Sequence, residues 1–413
     1  NEALHENLHE NFEKKWPKLK LTCFTVSPLF HSSGFSHEMV FAIPLMDQFF
    51  GNDEKWIGTD EIPGYRDEVL EASINLQYVS QQIAAAKAWG ALLTTFIKKT
   101  TQPLKETFID LVSHFLQVNI DSGIKSPLLT QVYFERLELS FYIFYAFQKR
   151  AEPVSEKKLL KILDQIIAVF KSDEVNYLGN ISHSRNRNFY RPILRCVLIL
   201  LDLVTTGSHF VELASDSLLE FFELSFCKGF HLILSEILSD ISTSTSNGKQ
   251  VVVYNMASRI QDLFLLLSLF TKIRALKPSE SFNLILASSL NEVGTVKVIL
   301  SLYSTSHLLK INDEAILGPL TLTFVSELCS IKNVAEKFIT NGLFAVLLES
   351  PVSVAIQKGD VRPESKPSLH NLWTNGLLSI ILLLLSEFGI KVLPECCLFI
   401  SYFTEQVSTA VLR

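Results

Sequence analysis

Glycine and proline are scarce in this sequence. Sixteen and fourteen of them in a chain of 413 leave little material for turns, which disfavours sandwiches and barrels of many short strands. No period-two run bounded by hairpin turns stands out either. The six cysteines (Cys23, Cys196, Cys227, Cys329, Cys396, Cys397) form no C-x-x-C pair and have no regular spacing. That argues against a disulfide framework or a zinc ribbon and reads as buried, reduced thiols of the cytosol or nucleus. Charge of one sign is also lacking: the net charge is -6 and the pI about 6.0, so there is no global field for nucleic acid. Neither phosphate cradle, G-x-x-x-x-G-K-[ST] or G-x-G-x-x-G, occurs, and the nucleophile elbow G-x-S-x-G is missing. The start, at Asn1, has no basic n-region and no apolar h-region, and reads as a mature or internal fragment with more protein upstream.

Long hydrophobic runs are few. The strongest, 377–385 within GLLSIILLLL, is bounded by Asn375 and Glu387 and falls short of the roughly 20 apolar residues that span a bilayer. It is expected as a buried core helix, with no direct membrane span.

What is present is apolar and helical. Hydrophobic residues make up 48% and charged ones 19%, ample for a large core and too apolar for disorder. From 67 to 97, Val69, Ala72, Leu76, Val79, Ile83, Ala86, Gly90, Leu93 and Ile97 recur three and four apart, one face of a helix on the order of 45 Å long. More than a dozen further helical patterns follow, down to 369–388 and 395–411. Three polar stretches, 172–188, 240–250 and 350–368, read as surface loops. The expected fold class is all-α, an α-solenoid of stacked antiparallel helix pairs of HEAT/armadillo type. Residues 1–65 read as a partly irregular lead-in and 66–413 as the helical tail domain.

Within that domain, PLTLTFVSELCSIKNVAEKFITNGLFAVLLESP (319–351) resembles an armadillo unit, with Gly342 allowing a sharp turn before its last helix. NEVGTVKVILSLY (291–303) is a weaker copy. The Trp and Asn ladder by which armadillo transport receptors hold extended peptides would fall at Thr323 and Glu327, so the likeness supports architecture and not import-signal binding.

Four motifs invite a chemical reading. His5-Glu6-Asn7-Leu8-His9 matches the H-E-x-x-H of zinc peptidases, in which two histidines on one helical face hold the metal and the glutamate is general base. Here a tandem LHEN creates the match, the extended pattern fails at Phe12 and Lys15, and Trp16-Pro17 stops the helix. Arg185, Arg187, Arg191 and Arg195 interleave with Phe189 and Tyr190, a nucleic-acid pattern, but the acidic remainder favours pairing to carboxylates of neighbouring helices. Asp53, Glu54, Asp60, Glu61, Asp67, Glu68 and Glu71 lack calcium-loop spacing, and the last three complement a helix dipole. His183-Ser184 alone says nothing of a triad. The thirty phenylalanines, such as Phe221, Phe222, Phe226 and Phe230, recur at helical spacing as core. Catalytic, cofactor and metal residues are therefore expected to be none.

The chain resembles the large α-helical scaffold nucleoporins of the nuclear pore inner ring, at their C-terminal part. The likeness rests on IPGYRDEVLEASINLQYVSQQIAAAKAWGALL (62–93), KSPLLTQVYFERLELSFYIFYAF (125–147), RNFYRPILRCVLILL (187–201) and LHNLWTNGLLSIILLLL (369–385). It implies a non-enzymatic scaffold at the nuclear envelope, peripheral to the membrane, supporting nucleocytoplasmic transport. Its grooves would take amphipathic helices of other nucleoporins, and it admits Phe-Gly peptides as a second ligand; no cofactor and no nucleic acid is implied. The alternative is a soluble HEAT/armadillo transport receptor or regulatory subunit. The C-terminal half, with the armadillo-like unit and the apolar helices after Leu369, is the expected place for such a groove.

Overall fold

The computed structural model describes residues 24–26, 39–41, 47–48, 50–59, 64–122, 127–173, 175–182, 189–204, 210–246, 253–309, 316–359 and 367–411. The H-E-x-x-H match, Arg185, Arg187 and His183-Ser184 lie outside them. Two compact units form, Asn1–Glu152 and Pro153–Arg413, whereas the sequence reading set its boundary at 65/66.

The first unit opens on two strands the sequence did not announce. β1 (Phe24–Val26) and β2 (Met39–Phe41) pair antiparallel with Phe24 opposite Phe41; three residues each is too short for period two to register. Helix α1 (Glu54–Ile57) is capped by Asp53, whose carboxylate accepts from the Lys55 amide at 2.9 Å. Helix α2 (Tyr65–Lys99) is the long helix expected at 67–97; α3 (Thr107–Ser122) and α4 (Pro127–Arg150) follow and pack together, with α2 against α4. Asp67 and Glu68 in the first turn of α2 and Lys98 and Lys99 in the last match its dipole. Its start is clamped by Asp47, which accepts from Trp56 Nε1 at 2.9 Å and Arg66 Nε at 2.8 Å. The hydrogen bonds from Arg66 and Trp56 hold the Asp47 carboxyl below its usual range. Its end is satisfied by Arg150, which donates to the carbonyls of Ile97, Thr100 and Gln102. Gly90 admits α4 closely, since a Cβ there would stand 3.0 Å from Leu139 Cδ2.

The second unit is all helix among its described residues. In order these are α5 (Glu156–Lys171), α6 (Tyr177–Ile181), α7 (Arg191–Leu203), α8 (Phe210–Leu213), α9 (Ser215–Phe222), a π-helical stretch (Glu223–Phe230), α10 (His231–Ser246) and α11 (Val253–Ala275). Then come α12 (Glu280–Val293), α13 (Thr295–Thr305), α14 (Leu317–Cys329), α15 (Lys332–Thr340), α16 (Leu343–Glu349) and α17 (Pro351–Lys358). The chain ends on α18 (Pro367–Asn371), a second π stretch (Leu372–Leu378), α19 (Ser379–Phe388), a 3₁₀ turn (Gly389–Val392), α20 (Leu393–Tyr402) and α21 (Thr404–Val411). Packing runs by near neighbours: α5 on α7, α7 on α11, α10 on α13, α13 on α14 and α14 on α19. The all-α class and stacked arrangement read from the sequence hold here. The armadillo-like unit resolves into α14, α15 and α16, with Gly342 at φ +85 between the last two; its weaker copy turns at Gly294, φ +78. All three expected loops are partly helical: 177–181 forms α6, 240–246 completes α10, and 351–358 forms α17, with Ser350 as N-cap and Pro351 at its first position.

Nine aromatic rings of the second unit form one connected series. Ring centroids run Tyr190 to Tyr177 (5.1 Å), Phe170 (4.6 Å), Phe221 (5.1 Å), Phe222 (5.7 Å), Phe226 (6.3 Å), Phe230 (4.8 Å) and Phe324 (4.4 Å). Phe270 stacks on Phe226 at 4.7 Å. All nine rings are buried, and pairs at such offsets add about 0.5–1.5 kcal/mol each beyond area burial. The π stretch carries Phe226 and Phe230 inward together, four apart. Gly229, between them, lies under the Tyr177 ring.

Candidate helix-docking surfaces

Large apolar side chains left uncovered mark interaction surfaces, so they are the candidate site. Most of them fall in two places.

The first is on α2. Of its expected apolar face, Val69, Ile83 and Ile97 are buried, and the helix packs against α4. A second stripe, absent from the sequence reading, is exposed: Leu70, Ile74, Tyr78, Trp89, Leu92 and Phe96. At about 3.6 residues per turn these six fall within roughly a 100° arc. Trp89 is 67% exposed, against the usual burial of indole. The signal lay in the spacing 70/74/78 and 89/92/96, which the stronger buried stripe obscured. Beside the stripe, between α2 and α4, is a cavity of about 350 Å³ lined by Gly90, Ala91, Thr94, Glu135 and Tyr142.

The second place is the C-terminal end, as the sequence reading preferred. Ile390, 87% exposed, is on the 3₁₀ turn, and Leu382 on α19 and Leu393, Leu398 and Tyr402 on α20 are exposed as well. In the buried part of the same segment, Trp373 stacks on Phe403 at 4.6 Å, and Phe403 on Phe399 at 4.7 Å. The helical run Ser368–Tyr402 is long and apolar enough to cross a membrane by length and composition, and a third of its most apolar window is buried. The core helix expected over 377–385 is thus only partly covered. Leu377, Ile380, Ile381 and Leu384 face the core while Leu382 does not, and Gly389, at φ +55, turns the run.

The other candidates resolve into structure. Arg191 donates through Nε to Asp262 (2.5 Å) and through Nη2 to the Ser258 carbonyl (2.7 Å), and Tyr190 donates to the same carboxylate at 2.9 Å. This is the pairing to a neighbouring helix that the sequence suggested, and it buries the Tyr190 ring that would have stacked a base. Arg195 is exposed. Thr323, at the receptor-type ladder position, is exposed and donates to the Pro319 carbonyl within its own helix. Among the described residues no group of three or more His, Cys, Asp or Glu could hold a metal. Cys196, Cys227, Cys329 and Cys396 are buried and Cys397 is exposed. Burial pushes the Cys227 and Cys329 thiols up to about 12, which leaves them inert as nucleophiles.

A groove of about 350 Å³ between α9 and α12 is lined by Leu219, Ile285 and Leu286 under Asp216, Glu220 and Glu223. Glu220 and Glu223 are already bridged by Lys171 and Lys228, so it is a weaker candidate.

Comparison with known proteins gives this geometry its setting. Residues 159–413 match the family described as nuclear pore protein NUP188 C-terminal domain. The chain is 52% identical to nucleoporin NUP188 of Saccharomyces cerevisiae over all of its own length and 25% of the relative's. It is 20% identical to nucleoporin nup184 of Schizosaccharomyces pombe over 93% of the chain and 24% of that protein. A solved fragment of Nup188 from Myceliophthora thermophila covers 74% of this chain and 85% of its own at 14% identity, with a TM-score of 0.36, too loose a superposition to bear on the fold. The chain therefore spans about a quarter of the length of the curated relatives it matches. The match across more than half the chain, with half the residues shared with the yeast relative over its full extent, places this chain in the family of the nuclear pore protein NUP188 C-terminal domain.

Proposed function

We propose that the chain is a non-enzymatic scaffold element of the nuclear pore complex, peripheral to the nuclear envelope, and that it supports transport by holding other pore proteins in place. The helices of the second unit act as its frame. The C-terminal apolar surface takes the apolar face of an amphipathic helix from another nucleoporin. The observation that carries this reading is the exposure of four large apolar residues, Ile390, Leu393, Leu398 and Tyr402, along 390–402 of a segment that also holds the buried rings Phe399 and Phe403 stacked with Trp373, inside the family match. Large apolar patches on rigid frames mark interaction surfaces, and helices dock on them through i, i+3, i+4 and i+7 anchors. No feature favours the transport-receptor alternative.

Titration calorimetry against amphipathic helices from nucleoporins tests it. Binding should depend weakly on salt, show a negative heat-capacity change and fall about tenfold or more in Leu393→Asp and Leu398→Asp, as for interface anchors. Phe-Gly peptides form a second arm of the same experiment. Absence of binding, or attachment only to the acidic 53–71 segment with steep salt dependence, would refute the docking role. Co-purification from cells should give a stable set of pore components and not a nucleotide-dependent GTPase partner.

A further inference from the structure

The second stripe on α2 is not part of the C-terminal surface and calls for a separate account. Six large apolar residues from Leu70 to Phe96 run along one face for roughly 39 Å at 1.5 Å per residue, and five of them are more than half exposed. Between Glu71 and Lys98 the only charged residue is Lys87, which is turned to Glu135 on α4. A helix with apolar stripes on two sides belongs between two layers. In a stack, a terminal repeat needs a polar outer face, and an inner one does not. Here the outer face of α2 is apolar, so it has the character of an inner repeat.

Charge sets the direction of what covers it. On the stripe's own arc, Asp67 and Glu71 stand at the start of α2 and Lys99 at the end, with no charge between. A helix carrying the usual acidic first turn and basic last turn would meet like charge if laid parallel and opposite charge if laid antiparallel. The matching S. cerevisiae relative is about four times the length of this chain.

We infer that the Leu70–Phe96 face of α2 is a repeat-to-repeat interface, covered by an antiparallel apolar helix of about seven turns from the same polypeptide, outside residues 1–413. The inference does not depend on the C-terminal docking surface.

The test places the photoreactive residue benzoyl-phenylalanine at Tyr78 and, separately, at Trp89, in the full-length polypeptide, and maps the products by mass spectrometry. Both positions are exposed, so the substitution leaves the fold intact. The expected result is that both cross-link to a single segment beyond the 413 residues, with attachment sites about eleven residues apart and in reversed order. Products in the same order, products within residues 1–413, products with a different protein, or no protein product at all would each overturn the inference. Loss of peptide binding by Leu393→Asp would leave these products unchanged, so the two readings fail separately.

Discussion

Replacing Gly229 with alanine tests the packing of the second unit at its tightest point. An added Cβ would stand 2.5 Å from both Cε1 and Oη of Tyr177 and 2.8 Å from its Cζ, where ordinary carbon contacts are about 3.5–4.0 Å. The ring would have to move by roughly 1 Å. It has nowhere to go: Phe170 and Tyr190 flank it at 4.6 and 5.1 Å, and its hydroxyl donates to the Ser225 carbonyl at 3.2 Å. Overpacking of this kind costs about 1–3 kcal/mol, and losing the hydrogen bond roughly another 1 kcal/mol. Alanine's helix propensity returns about 1 kcal/mol. The expected net loss is therefore about 1–3 kcal/mol, a fall in melting temperature on the order of 5 °C for a unit of this size. Urea and thermal unfolding followed by circular dichroism read it directly. In a Tyr177→Ala background the obstacle is gone, and Gly229→Ala should become stabilising by roughly 1 kcal/mol. An unchanged or raised midpoint for Gly229→Ala alone would refute the reasoning. Gly376→Ala makes the comparison: its Cβ would meet Leu322 Cδ1 at 2.7 Å, a methyl that can swing aside, and the loss should be smaller.

Gly342→Ala meets no atom within 4 Å, but φ is +85, so it should cost about 1 kcal/mol by backbone strain alone; a neutral result in urea melts would deny the left-handed turn. Asp262→Ala removes the acceptor for both Tyr190 and Arg191 and leaves a largely buried guanidinium uncompensated, with an expected loss of about 3–5 kcal/mol in the same melts. The thiols give a pH test. Cys227 and Cys329 are raised from 9.0 to about 12 on folding, chiefly by burial, so above pH 9 the unfolded chain loses protons that the folded one keeps. Stability should be full below pH 9 and fall as pH rises toward 12, by up to about 1.4 kcal/mol per pH unit for each thiol. A Cys227→Ala, Cys329→Ala variant should show a shallower slope than the parent. An equal slope would place the alkaline loss elsewhere, for instance in Tyr177 and Tyr303, which burial also raises.

Much of the frame was legible because its signals are local. The 3–4 spacing of Val69, Ile83 and Ile97 gave α2 to within two residues at each end, and the glycine at 342 gave the turn of the armadillo-like unit. What was missed was either too short or too mixed. Three-residue strands carry no period. The ISTSTS end of α10 is made of poor helix formers, so tertiary packing decides it. At 350 the Ser-Pro start of α17 had the right signature, hidden in a stretch that looked polar as a whole. The docking surfaces were harder still, because an apolar residue at helical spacing declares which face it occupies but not whether anything covers that face. Leu382 and Leu384 are equivalent letters in one run. Only the packing of α19 on α14 separates the exposed one from the buried one.

The aromatic series in the second unit has a mechanical consequence. In a pure stack each repeat leans on its neighbours alone, so a pull along the chain would peel repeats off one after another. Here the rings from Phe170 to Phe324 join α5, α6, α7, α9, α11 and α14 through a single run of contacts. Load applied at either end is shared across all of them at once. Stretched in a force-spectroscopy experiment, this segment should yield as one block with a single large extension, while the helices beyond α14 give way in smaller steps.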